Sequence, residues 1–141
     1  MADDPHDLQR FLSAQTGVYE TALEEVRRGD KQSHWMWFIF PQIDGLGFSA
    51  TTKRYAIKSR AEAQAYLAHP ILGSRLLEIA AAALQLKGRS ALEVFGSPDD
   101  KKLQSCATLF AAISPGDSVF HRLLDKYYAG QRDEKTMQLI G

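Results

Sequence analysis

Apolar positions recur every three or four residues along most of the chain, which is the spacing of amphipathic helices. The first stripe runs from Leu8 to Val26. It predicts one helix, or two short helices broken near Thr16 and Gly17, and Gly29 is placed to end the second. Later stripes predict helices over residues 60–68, 70–87, 91–95, 98–113, 120–129 and 134–140. No alternation of period two requires a sheet, so we predict an all-α fold of about seven helical segments.

Several of these helices carry recognisable start signals. Ser59 with Glu62 and Ser90 with Glu93 match the capping box, in which the cap and the residue three positions later bond each other's free backbone amides. Ser97 precedes a proline and two acids, an arrangement favoured in a first helical turn. Neither a linker nor a repeat divides the sequence. We therefore predict a single compact domain over residues 1–141 whose first few residues are frayed.

The segment from His34 to Phe40, called the aromatic segment below, has no clear period and reads His-Trp-Met-Trp-Phe-Ile-Phe. Such a short apolar run fits either a helix or a buried strand. We favour a helix, because Ser33 is placed to cap its start and Pro41 to end it. Residues 43–52 follow with a composition typical of a loop, which includes Gly45, Gly47 and Ser49.

In a helix the aromatic segment would present Trp35 and Trp37 on different sides. A core needs only one dry side, and a buried indole N–H or imidazole needs a hydrogen-bonding partner. This favours a pocket in which either tryptophan stacks on a flat ligand while His34 and Gln42 provide hydrogen bonds. An imidazole also suits general acid or base catalysis, so His34 is the predicted catalytic residue.

The predicted ligand-binding residues lie on both sides of this histidine along the chain: Lys31, Ser33, Trp35, Trp37, Gln42, Gly45, Gly47 and Ser49. The ligand class that fits stacking and hydrogen bonding is nucleotide-like. The alternative is a non-enzymatic interaction or structural module in which the aromatic segment is core or a dimer surface. The charged pairs Glu24–Glu25 and Lys101–Lys102 are interpreted as solvated helix faces.

The chain of 141 residues has 45% hydrophobic and 24% charged residues, which is ordinary for a globular protein. Seventeen Lys and Arg balance seventeen Asp and Glu, so no net charge recruits nucleic acid, and we do not expect it as a partner. Near-zero charge weakens repulsion between copies and leaves a homodimer open. The apolar runs fall short of the roughly 20 residues that span a bilayer, and we expect no membrane association.

The sequence lacks the motifs that mark common cofactor and metal sites. It contains no phosphate-binding or dinucleotide-binding glycine motif and no His-Glu-x-x-His. The four histidines are far apart, and Cys106 is the only cysteine, so neither a structural metal nor a disulfide is expected. The acidic N-terminus, Met1-Ala2-Asp3-Asp4-Pro5, does not read as a signal peptide. We expect a cytoplasmic protein without a cofactor.

The run from Lys31 to Gln42, followed by Gly45-Leu46-Gly47, resembles the signature of the family catalogued as domain of unknown function 1810. Further blocks similar to that family are Tyr55-Ala56-Ile57, Ala65-Tyr66-Leu67-Ala68-His69-Pro70, Leu72-Gly73-Ser74-Arg75-Leu76, Phe95-Gly96-Ser97-Pro98-Asp99-Asp100-Lys101-Lys102-Leu103 and Thr108-Leu109-Phe110. The resemblance covers most of the chain and implies a compact all-helical protein. Some members carry the label calpastatin, but this chain has no disordered inhibitory repeat, and we do not expect that activity.

A fainter similarity is to NADAR-type proteins, helical enzymes linked to ADP-ribose metabolism. Their signature pairs a Ser-Glu-His-Tyr-Phe block with a later Lys-Phe block, and Ser33-His34-Trp35 is similar to the first. This chain departs from the pattern, because the glutamate of the first block and the later Lys-Phe pair are both missing. The resemblance implies an ADP-ribose-like ligand and leaves glycosidic chemistry without its residues.

Overall fold

A computed structural model describes residues 3–141, and this part of the chain folds into ten α-helices. Their bounds are α1 Gln9–Gln15, α2 Tyr19–Arg28, α3 Met36–Ile39, α4 Ala50–Tyr55, α5 Arg60–Ala68, α6 Leu72–Gln85, α7 Ala91–Phe95, α8 Asp99–Ala111, α9 Val119–Tyr128 and α10 Glu134–Ile140. Between residues 3 and 141 the extended pairing is limited to one parallel bridge, which joins Ile43 to Ile57. The predicted all-helical class is confirmed.

Helices α6 and α8 form the centre of the fold. The α8 helix packs against α5, α7, α9 and α10, and α6 packs against α2, α5 and α9. Every residue of α8 from Ser105 to Ala111 is buried, so this helix has no solvated face along its second half. A helix surrounded on all sides is apolar all round. The two polar residues of this stretch, Ser105 and Thr108, donate their hydroxyls to the Lys101 and Gln104 carbonyls of the preceding turn.

Local signals predicted several helix ends correctly. Gly29 adopts a left-handed conformation, φ 71°, and ends α2 by donating its N–H to carbonyls of the last turn. Ser90 and Glu93 form a complete capping box at α7. Ser59 caps α5, but the Glu62 carboxylate turns away from it to bond Arg10 at 2.6 Å. The chain breaks between α1 and α2 near Gly17, as the two-helix alternative predicted.

Other boundary predictions were wrong. The predicted count of about seven segments is only roughly met, because the aromatic segment contains one helical turn and the supposed loop includes the start of α4. Ser49 begins α4 by accepting the Thr52 N–H. Ser33 is no cap, since its hydroxyl donates to Glu25. Ser97 is no cap either, because Pro98 stands at the N-cap of α8.

The junction between α5 and α6 is tight. The His69 ring nitrogen accepts the N–H groups of Ile71 and Leu72, which caps α6 as its first turn begins. A Cβ added at Gly73 would lie 2.0 Å from the Leu67 carbonyl oxygen. Only glycine therefore allows the two helices to approach this closely.

Across residues 3–141 no single helix is long and apolar enough to cross a membrane, although the bent pair of α5 and α6 passes that test together. The expected fraying concerns the first few residues, and Met1 and Ala2 lie outside the described residues. From Asp4 onward the chain is anchored, because the Asp4 carboxylate accepts the N–H groups of Leu8 and Gln9.

Candidate functional site

The first half of the aromatic segment is organised by the buried carboxylate of Glu25. Its oxygens accept the backbone N–H groups of Gln32 and Ser33 at 2.9 Å each, the Ser33 hydroxyl at 2.6 Å and the Trp35 indole N–H at 3.0 Å. Glu25 is 3% exposed and Trp35 is fully buried. We call this arrangement of Glu25, Gln32, Ser33 and Trp35 the Glu25 clasp. The expectation that Glu25 lies on a solvated face was wrong.

Electrostatics within the clasp favour the ionised carboxylate. Burial raises the pKa of Glu25, but the bonds from the Ser33 hydroxyl, the Ser33 and Gln32 amides and the Trp35 indole together lower it from 4.5 to about 2. Each of these bonds is made to the charged form and so stabilises it. Glu25 is therefore ionised at any ordinary pH.

Lys31 lies against the clasp. Its ammonium donates to the Ser33 carbonyl at 2.6 Å and stands 2.9 Å from an Asp99 carboxylate oxygen. It also lies 4.9 Å from the centre of the Trp35 ring, within reach of a cation–π interaction. The Lys31 side chain is only 6% exposed. Its donors are engaged inside the protein, where they fix the turn that precedes the aromatic segment.

The second half of the aromatic segment borders an open cleft of about 330 Å³ between α4, α8 and the start of α10. This hollow is called the cleft below. The residues that line it are Trp37, Gln42, Ile43, Leu46, Gly47, Thr52, Tyr55, Ala56, Pro98, Lys101, Lys102, Ser105, Asp133 and Lys135. Aromatic and aliphatic side chains thus form its walls, and three ammonium groups and one carboxylate supply its charge.

Lys102 links the cleft to Asp99 and Trp37. Its ammonium lies 5.0 Å from the centre of the Trp37 ring and 3.4 Å from an Asp99 carboxylate oxygen. The other Asp99 oxygen pairs with Lys31. A chain of contacts therefore runs from the buried indole of Trp35 through Lys31, Asp99 and Lys102 to the indole that faces the cleft.

The wall formed by residues 42–47 is held by backbone bonds and by close packing. The Ile57 amide donates to the Gln42 carbonyl, and the Asp44 amide donates to the Ile57 carbonyl, both at 2.8 Å. A Cβ added at Gly47 would lie 2.7 Å from the Thr52 methyl. Gly45 has φ 106° and faces the Leu139 side chain. This wall is built to bring the backbone close to α4 and α10.

The structure places the predicted site residues in the cleft, in or against the Glu25 clasp, or outside both. Trp37, Gln42 and Gly47 line the cleft. Lys31, Ser33 and Trp35 lie behind it in or against the Glu25 clasp, and Trp35 has no exposed surface for stacking on a ligand. Gly45 supports the wall, and Ser49 caps α4. His34 is exposed, makes no side-chain hydrogen bond within residues 3–141 and lies outside the set that lines the cleft.

Sequence reasoning missed the cleft residues that come from distant parts of the chain. Lys101 and Lys102 were interpreted as a solvated face, and Tyr55, Asp133 and Lys135 were not predicted as site residues. One signal was present: the doublet of lysines directly follows the helix start at Pro98. Its meaning depends on α8 lying beside the aromatic segment, which is a long-range contact.

The described residues offer neither a cluster of metal ligands nor an exposed cysteine. Within the described part of the chain no three His, Cys, Asp or Glu side chains cluster as metal ligands. Cys106 is 1% exposed, and burial raises the pKa of its thiol well above the usual value. A buried thiol kept protonated is a packing residue and a poor nucleophile.

Two comparisons relate the chain to known proteins. The family model described as protein of unknown function, DUF1810, matches residues 5–140. The crystal structure of the conserved hypothetical protein Rv1873 from Mycobacterium tuberculosis superposes with a TM-score of 0.95 at 51% identity, covering 97% of this chain and 98% of that one. None of the curated proteins compared with this chain matches it. The chain belongs to the DUF1810 family of proteins of unknown function.

Proposed function

We propose that the cleft binds a small anionic molecule that carries a flat ring, of the nucleotide-like class. The observation that carries the proposal is the pairing of the Trp37 indole with the Lys102 ammonium 5.0 Å away, at the wall of an open hollow. An indole offers a stacking surface for a ring, and the Lys102 ammonium, which lies over this indole, attracts a phosphate or carboxylate.

The charge and the volume of the cleft restrict the class of ligand that it can bind. Three lysines and one aspartate line the cleft, so its local charge favours an anion although the whole chain is neutral. Small-molecule sites have volumes of about 300 to 1,000 Å³, and 330 Å³ lies near the lower limit. A mononucleotide therefore fits better than ADP-ribose, part of which would extend into solvent.

The experiment is a calorimetric titration of the protein with adenosine, AMP and ADP-ribose. We expect AMP to bind more tightly than adenosine, because only AMP carries the anion. Trp37→Phe should retain binding because a ring remains, and Trp37→Ala should lose it. A panel in which none of these compounds binds, or in which binding is indifferent to Trp37→Ala, would overturn the proposal.

The proposal concerns binding and assigns no reaction. The catalytic role of His34 stays a prediction. It would be supported if the protein converts a bound compound and His34→Ala loses that activity.

A second candidate function is a structural or interaction module in which the aromatic segment is core. The burial of Trp35, Met36, Ile39 and Phe40 favours it. That candidate predicts no ligand and a large loss of stability in Trp37→Ala.

The homodimer that the near-zero net charge leaves open is a separate question, which sedimentation velocity tests.

A further inference from the structure

Asp133 is the one carboxylate among the residues that line the cleft, and the structure holds it firmly. Its backbone N–H donates at 2.9 Å to the hydroxyl of Thr108, a fully buried residue of α8. Its Oδ2 accepts both the N–H of Thr136 at 3.0 Å and the Thr136 hydroxyl at 2.5 Å, and Thr136 is also fully buried. The carboxylate therefore has a fixed position and orientation.

The other oxygen of this carboxylate, Oδ1, accepts no hydrogen bond from residues 3–141. Asp133 lines a cleft whose other charged lining residues are Lys101, Lys102 and Lys135. A site for a bare anion gains nothing from a carboxylate, because like charges repel. A ligand that brings hydrogen-bond donors as well as an anionic group turns the carboxylate into an attractive contact.

We propose that Asp133 Oδ1 accepts hydrogen bonds from hydroxyl groups of the ligand, which makes the ligand class a nucleotide with free ribose hydroxyls. This inference rests on the proposed function, since it deepens the description of the same cleft. The lysines take the phosphate, Trp37 takes the ring, and Asp133 rejects ligands that lack the hydroxyl pair. A carboxylate that would be left unpaired beside a bound ligand is an effective basis for such rejection.

The test compares AMP with 2′,3′-dideoxyadenosine 5′-monophosphate, which keeps the base and phosphate but lacks both ribose hydroxyls. We expect the wild type to prefer AMP about tenfold, a typical loss for one charge-assisted hydrogen bond. In Asp133→Asn the amide oxygen can still accept the two Thr136 bonds, and the NH₂ group can donate to a ribose hydroxyl oxygen. This neutral bond is weaker than the charge-assisted one, so the preference should fall well below tenfold. Asp117→Asn, an equal charge change at an exposed residue outside the cleft lining, should keep the preference.

The outcomes separate the two proposals. If both probes bind the wild type equally and Trp37→Ala weakens both, the cleft binds nucleotides but Asp133 does not read hydroxyls, and this inference fails alone. If neither probe binds, the proposed function fails. Asp133→Ser keeps a capping oxygen for α10 and serves where Asp133→Asn unfolds. Equal weakening of both probes in Asp133→Ser, with the tenfold preference intact, would also overturn the inference.

Discussion

Trp35 and Trp37 are separated by one residue, yet the structure uses them in opposite ways. The Trp35 indole is fully buried, and its N–H donates to the buried carboxylate of Glu25. The Trp37 indole is partly buried and lines the cleft beneath the ammonium of Lys102. The same residue type therefore fills the core on one side of the aromatic segment and borders an open hollow on the other.

The difference arises from what each indole can reach. A buried N–H without an acceptor costs about 1 to 3 kcal/mol, so Trp35 can be buried only where Glu25 meets it. Trp37 stands where α8 and α4 leave a gap, so its ring faces a hollow. The Glu25 clasp should thus control folding, and the cleft should control ligand affinity.

The largest effect is expected from Glu25→Ala. This change removes the acceptor of four hydrogen bonds. The buried Trp35 indole N–H and three part-buried donors, the Ser33 hydroxyl and two backbone N–H groups, are left without it. We expect the free energy of unfolding to fall by about 3 to 5 kcal/mol, as for a broken buried charge network. Urea denaturation followed by circular dichroism measures it.

Glu24→Ala is the matched control for that variant. Glu24 is the preceding residue on α2, its side chain is 69% exposed, and its pairing with Arg28 at 3.9 Å is loose. Its removal should change the free energy of unfolding by less than about 0.5 kcal/mol. Equal effects of the two alanine variants would show that the clasp does not stabilise the fold.

The same carboxylate predicts how stability depends on pH. The pKa of Glu25 falls from 4.5 to about 2 on folding, so its contribution is complete above pH 4.5 and is lost as the pH drops towards 2. A shift of this size corresponds to about 3 kcal/mol. Urea denaturation at a series of pH values should show that Glu25→Gln, starting from lower stability, loses less than the wild type across this window. If the free energy of unfolding fell equally in the wild type and in Glu25→Gln as the pH drops, the lowered pKa of Glu25 would be contradicted.

Replacing each tryptophan by alanine should affect different properties, stability for Trp35 and mainly ligand binding for Trp37. Trp35→Ala removes a fully buried ring and should lower the free energy of unfolding by about 3 to 5 kcal/mol. Trp37→Ala removes a partly buried ring, should cost about 1 to 2 kcal/mol, and should weaken AMP binding at least tenfold. Thermal denaturation and calorimetry on the same samples measure both. A Trp37→Ala variant as unstable as Trp35→Ala would favour the structural module.

The parts of the fold that depend on neighbouring residues could be predicted from the sequence, as the capping box at Ser90 and the left-handed Gly29 show. The clasp could not be predicted, because the sequence around Glu25 does not distinguish it from Glu24. Only the fold brings the four donors of Gln32, Ser33 and Trp35 to the Glu25 carboxylate. The cleft could be predicted only in part. Trp37 and Gln42 lie close together in the sequence, whereas Asp133 reaches them only through the packing of α8.

A smaller effect is expected at Lys102, whose side chain is 24% exposed. Lys102→Gln should weaken AMP binding about fivefold, because one of three cleft ammoniums is lost. The difference from wild type should shrink in 1 M salt, where the screening length is about 3 Å. Lys126→Gln is the matched control, since Lys126 lies 5.5 Å from the Tyr127 ring outside the cleft lining. Equal losses in the two variants would indicate a general charge effect.

The smallest effect on binding is expected at His34, which stands between the clasp residues Ser33 and Trp35 in sequence but belongs to neither the clasp nor the cleft in space. Its ring is exposed and lies outside the cleft lining, so His34→Ala should change AMP affinity less than twofold and the free energy of unfolding by less than about 0.5 kcal/mol. Calorimetry and urea denaturation measure these changes. A tenfold loss of affinity would require the aromatic segment to rearrange on binding and bring the imidazole over the ligand, and the division between Trp35 and Trp37 would then describe only the unbound protein.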